Sequence, residues 1–445
     1  MARAKRSLIE PDEEGASREL SISLAVVMAA CFLPYLNVGP LSVPSQVQPW
    51  AAILAWLWVG ARALRAGVRV SALQWALVIF ALWFMVYVYA GEGFDLQIYF
   101  RRSAAFLLSA GIFLAGQYLT PVTLWRALKL TLPIWLVFAL LRYVSSSAYF
   151  ALVTPLVPTV VDSAARGSSS LAPEATDFGF TMVVMVVLCM ITRRCLRDQG
   201  ITAEKWPLVC AIASALLSQS GTGYFGLALI GVLYAATRPS GHYGKAGRYL
   251  TAVLVAAAAY VVLGSLTASG VRGVDLLSTS VQTPGELMDT TFSYRVAHNL
   301  VGYLGMLDSN LLGYGAGSFV TEAPAVYVRH AVGNMLGLNG YYGATVPATL
   351  SQSPVSQFAV IMLEFGLIGL VYVVVLFAFA VRSRIPFKTI AVVILALTWL
   401  NSFPVAWPPF WVLIGVMMSP HFRVRTSTRE PDRGDVERTD MSSAT

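Results

Sequence analysis

Long apolar segments dominate this chain and leave it few ways to fold. About twelve of them are long enough, or nearly long enough, to cross the hydrocarbon core of a bilayer as helices. A backbone in lipid must satisfy its own hydrogen bonds, so such segments form helices. They lie at residues 20–38, 48–66, 72–90, 103–119, 127–149, 177–193, 206–219, 221–237, 249–267, 355–381, 388–402 and 406–419. We therefore predict an all-α polytopic membrane protein with about twelve transmembrane helices.

Composition excludes several other classes of protein. With 57% hydrophobic and 12% charged residues, the chain is not a soluble domain. The net charge of +8 follows mostly from basic inner joints, so we predict no nucleic-acid partner. We also predict no cofactor and no metal, because the sequence has no Walker motif and its outer carboxylates are scattered singly.

Basic residues predict the orientation of the helices. Every second joint is rich in Arg or Lys, which places those joints and both termini in the cytoplasm. The predicted organisation is a disordered tail (1–19), nine spans with an outer loop at 150–176 (20–267), a large periplasmic loop (268–353), three spans (354–420) and a second tail (421–445). Pro404, Pro408 and Pro409 separate the last two spans and would permit a re-entrant pair there.

The basic residues on the predicted outer side are all arginines, whereas all five lysines fall on the inner side. A planar guanidinium suits a phosphate or diphosphate, and orientation needs no positive charge on this side. The outer arginines are Arg101, Arg102, Arg142, Arg166, Arg272, Arg295 and Arg329. They indicate chemistry on a lipid-linked phosphate.

A helical pattern at 293–307 places Arg295, His298 and Asn299 on one face. The guanidinium could hold an anion and the imidazole could act as an acid or base. The alternative is an interfacial helix whose polar face meets water.

The stretch NLLGYGAGSF (310–319) has glycines at 313, 315 and 317. Its backbone N–H groups could form an anion nest, with Gly315 and Gly317 as substrate-binding residues, or the stretch could be a plain turn. Tyr314 could stack on a sugar or anchor the loop at the interface. Arg272 and Arg329 are the further substrate-binding candidates of this loop.

Three other features could carry chemistry. Arg166 and Glu174 bracket a serine-rich stretch and could serve as phosphate clamp and general base, or form one interfacial ion pair. Glu364 lies inside the tenth predicted span, where a carboxylate is costly and needs a function or a partner, with Arg142 as the candidate partner. The run SQSGTG (218–223) could approach a sugar or phosphate, or only turn a helix hairpin.

Several of these segments together resemble the O-antigen polymerase and O-antigen ligase superfamily. They are YRVAHNLVGYLGMLDSNLLGYGAGSF (294–319), SPVSQFAVIMLEFGLIGL (353–370) and RGSSSLAPEATDFG (166–179), in a chain with a large outer loop before the tenth span. The resemblance implies an inverting, metal-independent membrane glycosyltransferase of the C-type class, with Arg166 and Arg295 as the essential arginines. Ligases place a His-Asn pair where this chain has Ser353-Pro354, which leaves the base open among Glu174, His298 and His330.

We therefore expect a polymerase of the bacterial inner membrane. Its substrate would be an undecaprenyl-diphosphate-linked glycan, its product O-antigen, capsule or exopolysaccharide, and its partners the lipid bilayer and a chain-length regulator. One alternative is an O-antigen ligase that transfers the glycan to lipid A core. Another is a polysaccharide transporter or flippase, which makes no bond.

Overall fold

The structure is a computed structural model that describes residues 11–38, 45–68, 70–91, 94–161, 167–237, 291–338, 341–352, 356–400 and 404–424. Every regular element within these ranges is a helix, and the one extended pairing there is an isolated parallel bridge between Val88 and Ala316. The all-α prediction is thus confirmed for the described part of the chain. The helices are α1 (Pro11–Cys31), α2 (Trp50–Ala66), α3 (Ala72–Val86), α4 (Leu96–Gly116), α5 (Pro121–Val144), α6 (Ser146–Leu156), α7 (Ala175–Asp198), α8 (Trp206–Leu217), α9 (Gly221–Thr237), α10 (Thr291–Asp308), α11 (Phe319–Arg329), α12 (Val332–Met335), α13 (Tyr341–Gln352), α14 (Gln357–Arg382), α15 (Lys388–Leu400) and α16 (Pro408–Met418).

Four of these helices, α4, α5, α7 and α14, are long and apolar enough to cross a membrane by length and composition. Shorter apolar helices accompany them, at Glu19–Cys31, Gln74–Val86, Trp206–Leu217, Gly221–Thr237, Lys388–Leu400 and Pro408–Met418. A helix stands at the position of every predicted span except 249–267, which lies outside the described residues. The chain is therefore a helical membrane protein, while the count of twelve spans stays a prediction.

The connections between the helices gather at two ends of the bundle. At one end, Lys129 forms an ion pair with Glu204 at 2.8 Å, which links α5 to the α7–α8 connection. The hydroxyl of Ser419, just after α16, donates to the carbonyl of Leu119 at 2.9 Å, just after α4. We call this the lysine end, because it carries the described lysines Lys129, Lys205 and Lys388.

The opposite end joins the other termini of the same helices. Tyr143, at the end of α5, donates to the carbonyl of Leu217 at the end of α8, at 2.6 Å. Tyr87, just after α3, donates to the carbonyl of Gly313 at 2.8 Å. We call this the arginine end, because it carries Arg101, Arg102, Arg142, Arg295 and Arg329. The predicted alternation of joints thus corresponds to two ends of one bundle, and the assignment of the lysine end to the cytoplasm stays a prediction.

The described part of the predicted large loop is folded. Helix α10 confirms the helix predicted at 293–307, and α11 to α13 follow it. Together with residues 357–365 of α14, these helices enclose their own hydrophobic core, separate from that of the bundle. Its fully buried members include Ala297, Val301, Phe319, Ala323, Val326, Val332, Val346, Leu350, Ala359 and Leu363. We call this unit the outer subdomain.

Helix α14 is not the single straight span that the sequence predicts at 355–381. Gly366 has φ 57° and ψ −137°, which interrupts the helix after Phe365. A Cβ on Gly369 would lie 2.6 Å from the carbonyl oxygen of Ile361. In a continuous helix these residues would be about 12 Å apart along the axis. The chain therefore doubles back at Gly366, so that residues 357–365 belong to the outer subdomain and 367–382 cross the bundle.

Two predicted boundaries also differ from the structure. Helix α1 begins at Pro11, so the end of the predicted tail 1–19 is helical. The predicted outer loop 150–176 begins within α6, which is short and contains Pro155. Helix α1 therefore begins with a charged stretch ahead of its apolar residues, whereas α6 is itself mostly apolar.

Candidate functional site

The glycine-rich segment 313–317 lies at the arginine end, between the break in α14 and the residues that follow α3. The N–H of Gly315 donates to the carbonyl of Glu364 at 2.8 Å, and that of Ala316 donates to the carbonyl of Tyr87 at 2.9 Å. These donors are therefore used inside the protein. The predicted nest for a substrate anion is therefore contradicted at Gly315 and Ala316, because both N–H groups are occupied.

Glycine is required here for close backbone contact. Gly315 has φ +99°, and a Cβ on it would lie 2.6 Å from the backbone nitrogen of Tyr89. Gly317 has φ +91° and packs on the backbone of Tyr99, in the first turn of α4. The two glycines predicted to bind substrate thus fasten the outer subdomain to α3 and α4.

Glu364 supplies the anion that this segment binds. Its side chain is 1% exposed, and its Oε1 accepts a hydrogen bond from the backbone N–H of Phe319 at 3.2 Å. The N–H of Gly317 also donates to this carboxylate. Glu364 therefore caps the N-terminus of α11, where a negative charge is stabilised by the helix dipole. One of its carboxylate oxygens is thus used inside the protein, and its role in binding a substrate stays a prediction.

The charged neighbour of Glu364 is Arg102 of α4 and not Arg142. The Arg142 guanidinium lies over the ring of Phe150 at 4.6 Å and that of Tyr149 at 5.8 Å. The predicted Arg142 partner is therefore wrong, because a cation–π contact at the end of α5 holds its side chain. Arg102 was not among the predicted site residues, and its sequence signal was only its place among the outer arginines.

Arg295 and His298 come together on α10, as predicted. The His298 imidazole is fully buried, with its Nε2 3.4 Å from the hydroxyl of Thr349 and its ring 6.1 Å from that of Phe319. Burial, and then the nearby positive charge of Arg295, lowers the pKa of His298 to about 3. Burial also lowers the pKa of Arg295, which is half-buried. His298 is thus a neutral packing residue here and offers no surface to a substrate.

Asn299, the third member of this predicted face, points into the protein. Its Nδ2 donates to the carbonyl of Arg295 at 2.7 Å, and its Oδ1 accepts a hydrogen bond from Ser356 at 2.8 Å. Ser356 in turn caps the first part of α14. The amide therefore ties α10 to α14.

A second polar cluster joins the ends of α10 and α11. Arg329 donates to Asp308 at 2.7 Å, and His330 Nε2 lies 2.9 Å from the same carboxylate. Burial raises the pKa of Asp308, but the hydrogen bonds from His330 and Arg329 outweigh it and bring this pKa below its usual value. The hydrogen bond that Arg329 donates to the Tyr314 hydroxyl, and then the one it donates to Asp308, raise the pKa of Arg329. The predicted substrate residues Arg329 and Tyr314 thus contact each other, and Asp308, which sequence reasoning missed, binds Arg329 and His330.

The two serine-rich stretches pack against each other. The N–H of Ser168 donates to the carbonyl of Leu217 at 3.2 Å, and the hydroxyl of Ser170 donates to the carbonyl of Trp135 at 2.6 Å. The buried Ser220 hydroxyl accepts a hydrogen bond from the backbone N–H of Gly223 at 2.9 Å. These contacts favour the structural interpretation of SQSGTG, the hairpin turn.

Of the remaining predicted residues, Glu174 is half-buried at the start of α7, and Arg166 and Arg272 lie outside the described residues. Asp177, one turn after Glu174, is close enough for the two carboxylates to repel each other. Sequence reasoning missed Asp177, which looks like an ordinary first-turn acidic residue.

Comparison with known proteins adds no family to this description. No protein-family model matches the sequence, and no curated protein matches it significantly.

Proposed function

We propose that this protein is a polysaccharide polymerase that joins undecaprenyl-diphosphate-linked repeat units at the periplasmic face of the bacterial inner membrane. The proposal includes twelve spans and two cytoplasmic termini. The observation that carries it is the separation of the described basic residues: the described lysines lie at one end, and the described Lys and Arg residues at the opposite end are all arginines. Guanidinium groups hold diphosphates through paired hydrogen bonds, which an ammonium cannot reproduce.

The proposed reaction is a single displacement at the anomeric carbon of the growing chain. A hydroxyl of the incoming unit forms the new glycosidic bond, and the bond to the departing diphosphate breaks on the opposite face, so the configuration inverts. The hydroxyl proton passes to a base, and the arginines neutralise the charge that develops on the diphosphate. Arg295 is the described candidate for that role, and Arg166 is its predicted companion.

Solvent exposure distinguishes the three candidates for the general base. His298 is fully buried, whereas the His330 side chain is 30% exposed and Glu174 is half-buried. Asp308 also fixes the orientation of the His330 imidazole, as a base requires. The structure therefore favours His330 or Glu174 over His298 as the proton acceptor.

One observation favours a transporter instead, because discontinuous helices commonly form transporter binding sites. Helix α14 is broken at Gly366 beside the buried Glu364. The break lies at the arginine end and not halfway through the bundle, and the Glu364 carboxylate binds the backbone of α11. We therefore place the enzyme first and the transporter second.

The decisive experiment supplies purified protein with an undecaprenyl-diphosphate-linked repeat unit in the presence of EDTA. A polymerase lengthens the glycan into a ladder from this one substrate, a ligase requires a lipid A core acceptor, and a flippase makes no new bond. We expect a ladder in EDTA, resolved by gel electrophoresis and mass spectrometry. Activity that disappears in EDTA and returns with Mg²⁺ or Mn²⁺ would contradict the metal-independent mechanism.

A further inference from the structure

The N-terminal part of α4, at the arginine end, has features of a second diphosphate-binding site. We infer that Arg101 and Arg102 bind the diphosphate of the incoming, acceptor lipid, while Arg295 serves the diphosphate that departs. The inference rests on the proposed function and adds a site to it.

The packing of α4 aims Arg102 at the break in α14. Tyr99 and Phe106 lie about one turn before and after Arg102 and share its helical face. Tyr99 contacts Gly317, and the Phe106 ring meets that of Phe365 edge-on at 5.7 Å. Arg102 is thus held between these two contacts, next to Glu364.

Within the described residues, Arg102 has a charged neighbour and forms no hydrogen bond. It interacts electrostatically with Glu364 and with Arg101, and within the described residues its guanidinium donates to no acceptor. Oε1 of Glu364 is taken by Phe319, and its Oε2, fully buried, has no partner in the described part of the chain. A carboxylate near a half-buried guanidinium attracts that cation without occupying its N–H groups, which leaves these donors for a ligand.

The position of the pair suits a lipid headgroup. Arg101 is exposed, and the neighbouring apolar side chains Phe94, Leu96 and Phe100 are 41%, 58% and 53% exposed. Exposed aromatic and aliphatic side chains next to arginines are typical of the interface between lipid tails and headgroups. A diphosphate attached to an isoprenyl chain lies at the same level.

Arg102 and Arg295 are too far apart to bind the same diphosphate. Helix α10 runs parallel to the first part of α14, since Gly302 lies against Ala359 and Gly305 against Leu363. The level of Glu364 is therefore about eleven residues beyond Arg295, or roughly 16 Å along the axis.

The proposed reaction itself requires two diphosphates. The donor loses its diphosphate, whereas the acceptor keeps its own throughout the reaction. An enzyme that holds both lipids needs an anion site for each, and the two groups of arginines provide them.

The test is a binding stoichiometry on the full chain in detergent, with farnesyl diphosphate as the probe and native mass spectrometry as the readout. We expect two equivalents for the unchanged protein, one for Arg101→Gln/Arg102→Gln and one for Arg295→Gln. Arg142→Gln is the matched control, since it removes the same charge from the same end, and it should retain two. Arg101→Gln alone, at an exposed position, should weaken one site about tenfold without lowering the thermal unfolding midpoint.

Two equivalents in the double variant, or full affinity in Arg101→Gln, would overturn the inference. A single equivalent in the unchanged protein that only Arg295→Gln removes would overturn it too, yet leave the proposed function intact. Displacement of the probe from the Arg101–Arg102 site by phosphatidylglycerol at equal concentration would show a general headgroup site and overturn it. Failure of the proposed function is a different result, the absence of any ladder from the lipid-linked repeat unit.

Discussion

Arginines of the same type at the same end of this molecule differ in what surrounds them. Arg142 lies over an aromatic ring, Arg329 binds Asp308, and Arg102 stands beside a buried carboxylate. Arg295 is half-buried next to a neutral imidazole. The chemistry of each guanidinium therefore follows from its neighbours and not from the residue type alone.

Replacement of Arg295 by Lys tests the bidentate role. We expect Arg295→Lys to lower polymerisation at least about tenfold, because an ammonium cannot form two parallel hydrogen bonds to a diphosphate. Arg142→Lys, the control, should retain most activity since the ammonium still lies over the aromatic ring. Polymer length in a strain that expresses each variant stably is the measurement, and normal length with Arg295→Lys would contradict the role.

His298 predicts a loss of stability in acid. Its pKa is about 3 in the folded protein and about 6.5 in an unfolded chain. Below pH 6.5 the unfolded state gains a proton that the folded state does not, so stability falls as the pH drops towards 3. At pH 4.5 the loss is about 2 to 3 kcal/mol. Thermal unfolding measured at pH 7.5 and at pH 4.5 should show this loss of stability. The His298→Gln variant should lose most of this pH dependence. An unchanged pH dependence in His298→Gln would contradict the role of His298. His330→Gln is the control that should retain the fall.

At the scale of helices, Gly366 decides how α14 is divided. A Cβ there would collide with the carbonyl oxygen of Leu311, in backbone with φ +57°. We expect Gly366→Ala to destabilise the protein by about 3 kcal/mol or more, because two backbone segments must separate. Gly337→Ala, at φ +64° with no atom within 4 Å, should cost only about 1 kcal/mol. Thermal unfolding of both variants is the measurement, and equal losses would show that conformation alone, without the contact, sets the cost.

The sequence predicted helices well and their interruptions poorly. Periodicity at 293–307 was sufficient for α10, since an amphipathic helix carries its own signal. The break at Gly366 depends on Leu311, more than fifty residues earlier in the chain, so no local pattern indicates it. The prolines at 404, 408 and 409 permit a re-entrant pair, which stays a prediction; between α15 and α16, the carbonyl of Val405 accepts a hydrogen bond from Ser109 of α4 at 3.2 Å. Glycine inside a 26-residue apolar helix gives a weaker local signal than proline, yet Gly366 interrupts α14.

The same distinction applies to the candidate site. Arg295 and His298 were predicted as neighbours because they are three residues apart on one helix. The pairs Arg102–Glu364 and Asp308–His330 join different helices, and nothing in the spacing of these residues indicates them. Burial was also hidden, since an imidazole on a polar face looks the same in sequence whether or not a later helix, α13, covers it.

At the scale of the whole molecule, the separation of lysines and arginines predicts the orientation in the membrane. A reporter fused after residue 310 should be periplasmic, and one fused after residue 385 should be cytoplasmic. Alkaline phosphatase activity and green fluorescence, which require opposite compartments, measure this. A cytoplasmic signal at residue 310 would move every outer arginine to the wrong side and end the proposed function.

The docking of residues 313–317 also sets an order of assembly. Tyr87 and Gly313, which share a hydrogen bond, are 226 residues apart. Helices α3 and α4 are synthesised long before residues 313–317. Until then, the backbone groups of residues 87–89 lack the hydrogen bonds that they later form with Ala316. A chain that stopped before residue 310 would retain this open edge. The first turn of α4 is therefore among the last parts of the molecule to be completed.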